Sequence, residues 1–154
     1  MILGIDATNI KAGGGVTHLA ELINNASRAF GSSTIVVAVE AIMQPDHTYL
    51  TYTDNGREYT GVEVLSWVKE VEERGAGEIL LTSMDQDGTK GGFDIELTRT
   101  ISDAVSIPVI ASGGAASPEH LVEALQAGGD AVLAASIFHD GEYTVKTLKE
   151  ELRK

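Results

Sequence analysis

The chain has 154 residues, no cysteine and a net charge of −12, from 11 basic and 23 acidic side chains. That balance excludes nucleic acid and anionic membranes as electrostatic partners, and the lack of cysteine excludes disulfides and thiolate chemistry. No apolar run reaches the ~18 residues of a membrane span, no basic leader precedes the first strand, and 43% apolar residues suffice for one core, so a single cytoplasmic domain over 1–154 is expected.

Met1-Ile-Leu-Gly-Ile-Asp6 reads as a strand, and Gly13-Gly-Gly-Val-Thr-His-Leu19 opens a helix over 15–29. Asp6 could cap the turn after its strand or offer a carboxylate. Further strands are expected at 34–41, 77–82, 107–111 and 130–134, each a continuous apolar run of the kind covered on both faces. Between the second strand and its helix, His47 to Tyr59 alternates in polarity and turns at Asp54-Asn55-Gly56, a hairpin signal. Thr60-Gly-Val-Glu63 has the form of a capping box for a helix over 61–74, with Val62, Leu65, Val68 and Val71 as its core stripe and Trp67 as packing. Helices follow at 94–104, at 117–127 with Ser117 as N-cap and Pro118 at its first position, and at 143–152. GAGEILLTS and AGGDAVLAAS echo each other, as repeated βα units do.

The strand ends carry the chemistry. Glu78-Ile-Leu-Leu gives way at Thr82-Ser83 to Asp85, Asp87 and then Gly88-Thr89-Lys90-Gly91-Gly92. Ile107-Pro-Val-Ile-Ala111 runs into Ser112-Gly113-Gly114-Ala115, and Asp130-Ala-Val-Leu-Ala134 into Ala135-Ser136. Each could be a turn that merely ends a strand. Small residues also admit a ligand to backbone N–H groups that can cradle a phosphate, and in α/β sheets ligands sit at such C-terminal ends. Lys90 could meet a phosphate or be solvated. His139 follows the Ser136 turn and could lean over a ligand, His120 reads as a surface residue, and His18, His47, His120 and His139 have no metal spacing. No cofactor and no metal is expected, and no P-loop, dinucleotide fingerprint or nucleophile triad is present.

FGSSTIVVAVEA, YTGVEVLSWVKEVEERGAGEILLTSMDQDGTKGGFD, IPVIASGGAASPEHLVEAL and AGGDAVLAASIFH lie between Phe30 and His139. Over residues 29–154 the chain resembles the C-terminal half of the cyclase subunit of imidazole-glycerol-phosphate synthase. That family folds as a (βα)8 barrel and closes an imidazole ring with ammonia from a glutaminase partner. The resemblance implies two catalytic carboxylates, Asp87 and Glu40, the latter where the family has Asp. It implies a phosphate subsite at Gly88, Gly113, Gly114, Ala135 and Ser136, pocket-lining roles for Thr82 and Ser112, and a gate role for Glu78 at the barrel bottom. Glu40 is one methylene longer than Asp, and a shift of about 1 Å can cost ~100-fold in rate.

Residues 1–28 do not resemble that family's first half. MILGIDATNIKAGGGVTHLAEL instead resembles the first strand, loop and helix of a GT-B glycosyltransferase, whose glycine loop would face a sugar nucleotide. A complete barrel typically needs ~250 residues. The expected fold is therefore α/β, with parallel βα units forming half of a TIM barrel plus one extra N-terminal βα unit. Such a half either rearranges into a doubly wound sheet or pairs with another copy to cover its open face, and a homodimer or higher homo-oligomer is expected. The functional expectation is a cyclase-like half-barrel that binds a phosphorylated small molecule of ribose-phosphate type, with little activity alone. A non-enzymatic, vestigial or chimeric phosphate-binding domain and a sugar-nucleotide-binding fragment are the alternatives.

Overall fold

Alternation of exposure along the strands sets the architecture. In strand β2 (Ile35–Met43), Ile35, Val37, Val39 and Ala41 are wholly buried, whereas Val36, Ala38 and Glu40 are partly exposed. Strands β5 (Glu78–Ser83) and β6 (Val109–Ser112) repeat the pattern, with Ile79, Leu81, Val109 and Ala111 inside. The expectation that both faces are covered is therefore corrected. One face lies under helices, and the other, apolar at Val36, Ala38, Leu80 and Ile110, is only partly screened.

The computed structural model describes residues 3–6 and 15–153, with side chains from Leu19 onward. Strand β1 (Leu3–Asp6) and helix α1 (Gly15–Phe30) lead through a 3-10 turn (Ser32–Thr34) into β2. A hairpin of β3 (Tyr49–Thr53) and β4 (Glu58–Glu63) follows, then α2 (Val64–Glu73), β5, α3 (Ile95–Ser102), β6, α4 (Pro118–Gln126), β7 (Ala131–Val132), α5 (Ser136–His139) and α6 (Val145–Glu151). The sheet has seven strands. β1, β2, β5, β6 and β7 run parallel in that order, and the hairpin joins antiparallel. β1 pairs with 35–38 of β2 and β3 with 40–43, so strand and hairpin divide one edge of β2 between them.

This is the expected α/β arrangement of βα units, a partial TIM barrel. The N-terminal unit is built into the same core: Leu19, Ala20 and Ile23 of α1 are buried with Trp67, Val68 and Ile79. The Ser27 hydroxyl donates to the Arg74 carbonyl at 3.2 Å. A side chain at Gly77 would meet the Ser32 carbonyl oxygen at 2.2 Å, so the 3-10 turn after α1 and the loop leading into β5 are pressed together there.

The turn at Asp54, Asn55 and Gly56 forms as expected, with all three in the left-handed region and Arg57 N–H donating to the Thr53 carbonyl. The capping box does not form. Residues 61–63 belong to β4, and the Thr60 hydroxyl donates to the Thr51 carbonyl across the hairpin at 2.6 Å. Helix α2 starts at Val64 with Glu63 as N-cap, and its buried stripe is Val64, Trp67, Val68 and Val71. Val62 reaches the core from the strand instead. Ser117 caps α4 with Pro118 behind it, as expected. β7 is only two residues long: Leu133 N–H still donates to the Ala111 carbonyl at 2.8 Å, and the chain then winds into the unforeseen helix α5.

Candidate functional site

Three loops at the C-terminal strand ends converge because glycines let their backbones touch. Gly92 N–H donates to the Gly114 carbonyl at 2.9 Å, joining the loop after β5 to the loop after β6. Gly113 and Gly114 have φ of +96° and +90°. A Cβ on Gly113 would lie 2.6 Å from the Ser83 carbonyl oxygen, and one on Gly114 only 2.0 Å from that of Gly92. No other residue fits at either position without moving the backbone.

Between these loops and the β7–α5 turn lies a cavity of about 130 Å³, lined in part by Asp87, Gly88, Lys90, Ser112, Gly113 and Gly114. Ala135 and Ser136 close its other side. This volume has room for several waters or a small oxyanion. Among the described residues, the amides of Gly88, Gly113, Gly114, Ala135 and Ser136 donate to no protein acceptor. The Asp87 side chain is exposed at the rim, while its amide closes the loop onto the Ser83 carbonyl at 3.0 Å. Asp85, its neighbour in sequence, is used structurally: it accepts from Met43 N–H at 2.8 Å.

Apart from Ser112, the remaining candidates stand away from the cavity. Glu40, Thr82 and Ser112 are cross-strand neighbours in one row on the open face. Only Ser112 reaches the cavity lining. The Glu40 carboxylate accepts from Gly56 N–H at 2.9 Å, which fastens it to the hairpin turn. Glu78 sits at the opposite, N-terminal end of β5. His139 ends α5 exposed and does not line the cavity. His120 is not a surface residue: it is partly buried, with its ring against Gly92 and its Nδ1 buried without a partner. Gly13, Gly14 and the side chains of Asp6 and His18 lie outside the described residues. Among the described residues no group of three His, Asp or Glu could hold a metal ion, and no helix is long and apolar enough to cross a membrane.

Sequence reasoning missed a polar cluster just behind the site. The Asp94 carboxylate caps α3 by accepting from Leu97 N–H at 3.0 Å. It also accepts from the Tyr49 hydroxyl at 3.1 Å and the Ser83 hydroxyl at 3.3 Å. The hairpin, the end of β5 and helix α3 are thereby tied at one point. Burial, then the Asp94 charge, push the Tyr49 hydroxyl well above its ordinary pKa. Only the helix boundary at Asp94 was visible beforehand, since its partners come from other elements.

Parallel βα units with a small amide-lined cavity at their C-terminal ends define a partial TIM barrel with its site in the position usual for that fold. The chain belongs to the histidine biosynthesis protein family, which matches residues 1–144. It is similar to imidazole glycerol phosphate synthase subunit HisF of Thermococcus onnurineus, 55% identical over 132 residues, 86% of this chain and 52% of that protein. The chain thus spans about half the length of the curated relative it matches. The family match begins at residue 1 and includes the segment likened to a glycosyltransferase; the comparisons give that likeness no support.

Proposed function

We propose that the chain is a cyclase-like half-barrel of imidazole-glycerol-phosphate synthase type that binds a phosphorylated small molecule through one phosphate subsite. The observation that carries the reading is the convergence of Gly88, Gly113, Gly114, Ala135 and Ser136 on one cavity with room for a small oxyanion, with Asp87 at its rim. Backbone amides suit this chain, because a net charge of −12 offers no attractive global field to an anion. In this reading Asp87 and Glu40 are the acid and base of the family reaction, Thr82 and Ser112 line the substrate's path, and Glu78 faces the ammonia entry from a glutaminase partner. The domain runs over 1–154, residues 1–28 supply one further βα unit, and the cytoplasm is its compartment.

Titration with inorganic phosphate and with ribose 5-phosphate tests the subsite. Amide NMR shifts are expected at Gly113, Gly114 and Ser136. No shift at these residues up to high millimolar ligand would remove the reading.

Turnover is a separate matter. A substrate with two phosphates needs two anion subsites, and a single one is formed by the described residues. Glu40 is held at the hairpin turn rather than in the cavity. Ammonia-dependent cyclisation by the isolated chain is therefore expected to be at or below detection. A rate near that of a complete synthase, abolished by Asp87→Asn, would contradict this and point to a site shared between copies.

Self-association belongs to the same proposal. Among the described residues, the sheet face carrying Val36, Ala38, Leu80 and Ile110 is only partly screened, and Leu133 beside it is 43% exposed. Apolar surface and open strand edges of this kind favour pairing. Sedimentation equilibrium is expected to give a mass above the 16.2 kDa of one chain. A monomer at every concentration would refute the pairing.

A further inference from the structure

We infer that Lys90, which pairs with Asp140 and Glu142, is an anion-binding residue of this cavity. The inference rests on the phosphate reading above and adds to it a charged side chain.

Lys90 lies in the loop after β5, and among the described residues it is the cavity's one lysine or arginine. Its Nζ is 2.6 Å from Asp140 Oδ2 and 2.7 Å from Glu142 Oε1. Both acids follow helix α5, so the contact links the first and last of the loops that build the cavity. An ammonium has three N–H donors. Two are committed to carboxylates, and one remains, on a residue that lines the cavity. Hydrogen bonds that the ammonium donates to Asp140 and then Glu142 raise the lysine's pKa, so it stays charged at any pH where phosphate would be studied.

The backbone supports the same conclusion. Lys90 has φ of +59°, a conformation that glycine adopts without cost and lysine does not. Gly88, Gly91 and Gly92 surround it, so a glycine at 90 would serve the turn equally well. What a lysine adds there is its ammonium. Asp87 lines the cavity, and Asp140 and Glu142 stand at the Lys90 ammonium, so without Lys90 an incoming dianion would meet carboxylates and amide dipoles alone.

The test is calorimetric titration of the intact chain with inorganic phosphate, comparing wild type with Lys90→Met, Lys90→Arg and the double variant Asp140→Asn/Glu142→Gln. Far-ultraviolet circular dichroism checks each fold. A charge-assisted hydrogen bond is among the stronger contacts an anion can gain. Lys90→Met is therefore expected to weaken phosphate at least tenfold, with partial recovery in Lys90→Arg. The double variant cuts the link between loops but keeps the cation, and should bind within about threefold of wild type or more tightly. Affinity unchanged in Lys90→Met, in a wild type that binds, overturns the inference and leaves the phosphate reading intact. Equal losses in Lys90→Met and the double variant make Lys90 a tie between loops only, and overturn it too. A wild type that binds no phosphate removes the reading and the inference together.

Discussion

Replacing Gly114 by alanine is expected to destabilise the chain by roughly 3 kcal/mol or more, measured by urea unfolding. Two costs combine. Alanine at a φ of +90° loses about 1–2 kcal/mol to left-handed strain. Its Cβ would also stand 2.0 Å from the Gly92 carbonyl oxygen, and overpacking of this kind costs typically 1–3 kcal/mol. The clash is with backbone, so no side chain can swing aside to relieve it. The hydrogen bond from Gly92 N–H to the Gly114 carbonyl would be strained as well. Gly88→Ala is the internal control. Its φ is +74°, but nothing lies within 4 Å of the added carbon, so only the backbone strain applies. If both substitutions cost the same, the two loops are not packed as described.

Asp94→Ala is the second large effect, at roughly 3 kcal/mol. Loss of an N-cap costs about 1 kcal/mol. Two hydroxyls, of Tyr49 and Ser83, also lose their acceptor in a region where Tyr49 is 9% and Ser83 1% exposed. A buried donor left unsatisfied costs about 1–3 kcal/mol. Asp94→Asn keeps an acceptor for the cap and should cost distinctly less. The same cluster predicts an alkaline limit. The neutral Tyr49 hydroxyl is favoured in the folded chain, so its pKa is raised there from 10.0. Its stabilisation is complete below pH 10 and is lost as the pH rises toward the folded value. Tyr49→Phe should therefore be less stable than wild type at pH 8, with the gap narrowing above pH 10. A gap constant across that range would mean that the hydroxyl does not face Asp94.

What the residues disclose beforehand depends on how local the cause is. The hairpin turn at Asp54-Asn55-Gly56 is determined by three adjacent residues that tolerate positive φ, and it was readable. The N-cap at Ser117 was readable for the same reason. Thr60-Gly-Val-Glu63 misled because a capping box and a hairpin strand can share those letters. The decision falls to Thr51, nine residues away, whose carbonyl takes the Thr60 hydroxyl. The cavity was partly visible, since small residues stood at three strand ends. That the three ends meet is a tertiary fact, as are the burial of His120 against Gly92 and the convergence of Tyr49 and Ser83 on Asp94. Lys90 could be named but not judged, because Asp140 lies 50 residues further on.

The two residues of β7 bear on how the molecule opens. β5 and β6 are each flanked by strands on both sides, whereas β7, among the described residues, is a terminal stub joined to β6 alone. One wall of the cavity therefore stands on the interior of the sheet, and the other on a segment held by few ladder bonds. Partial opening of a fold begins at such margins. An anion that needs both walls binds the closed form alone, and its free energy is added to the cost of releasing residues 131–139. At a hundred times the dissociation constant that addition is about 2.7 kcal/mol. Ligand would then slow amide exchange at the C-terminal margin while leaving β5 nearly unchanged, so occupancy would be recorded in the protection of a strand end as well as in the chemistry of the site.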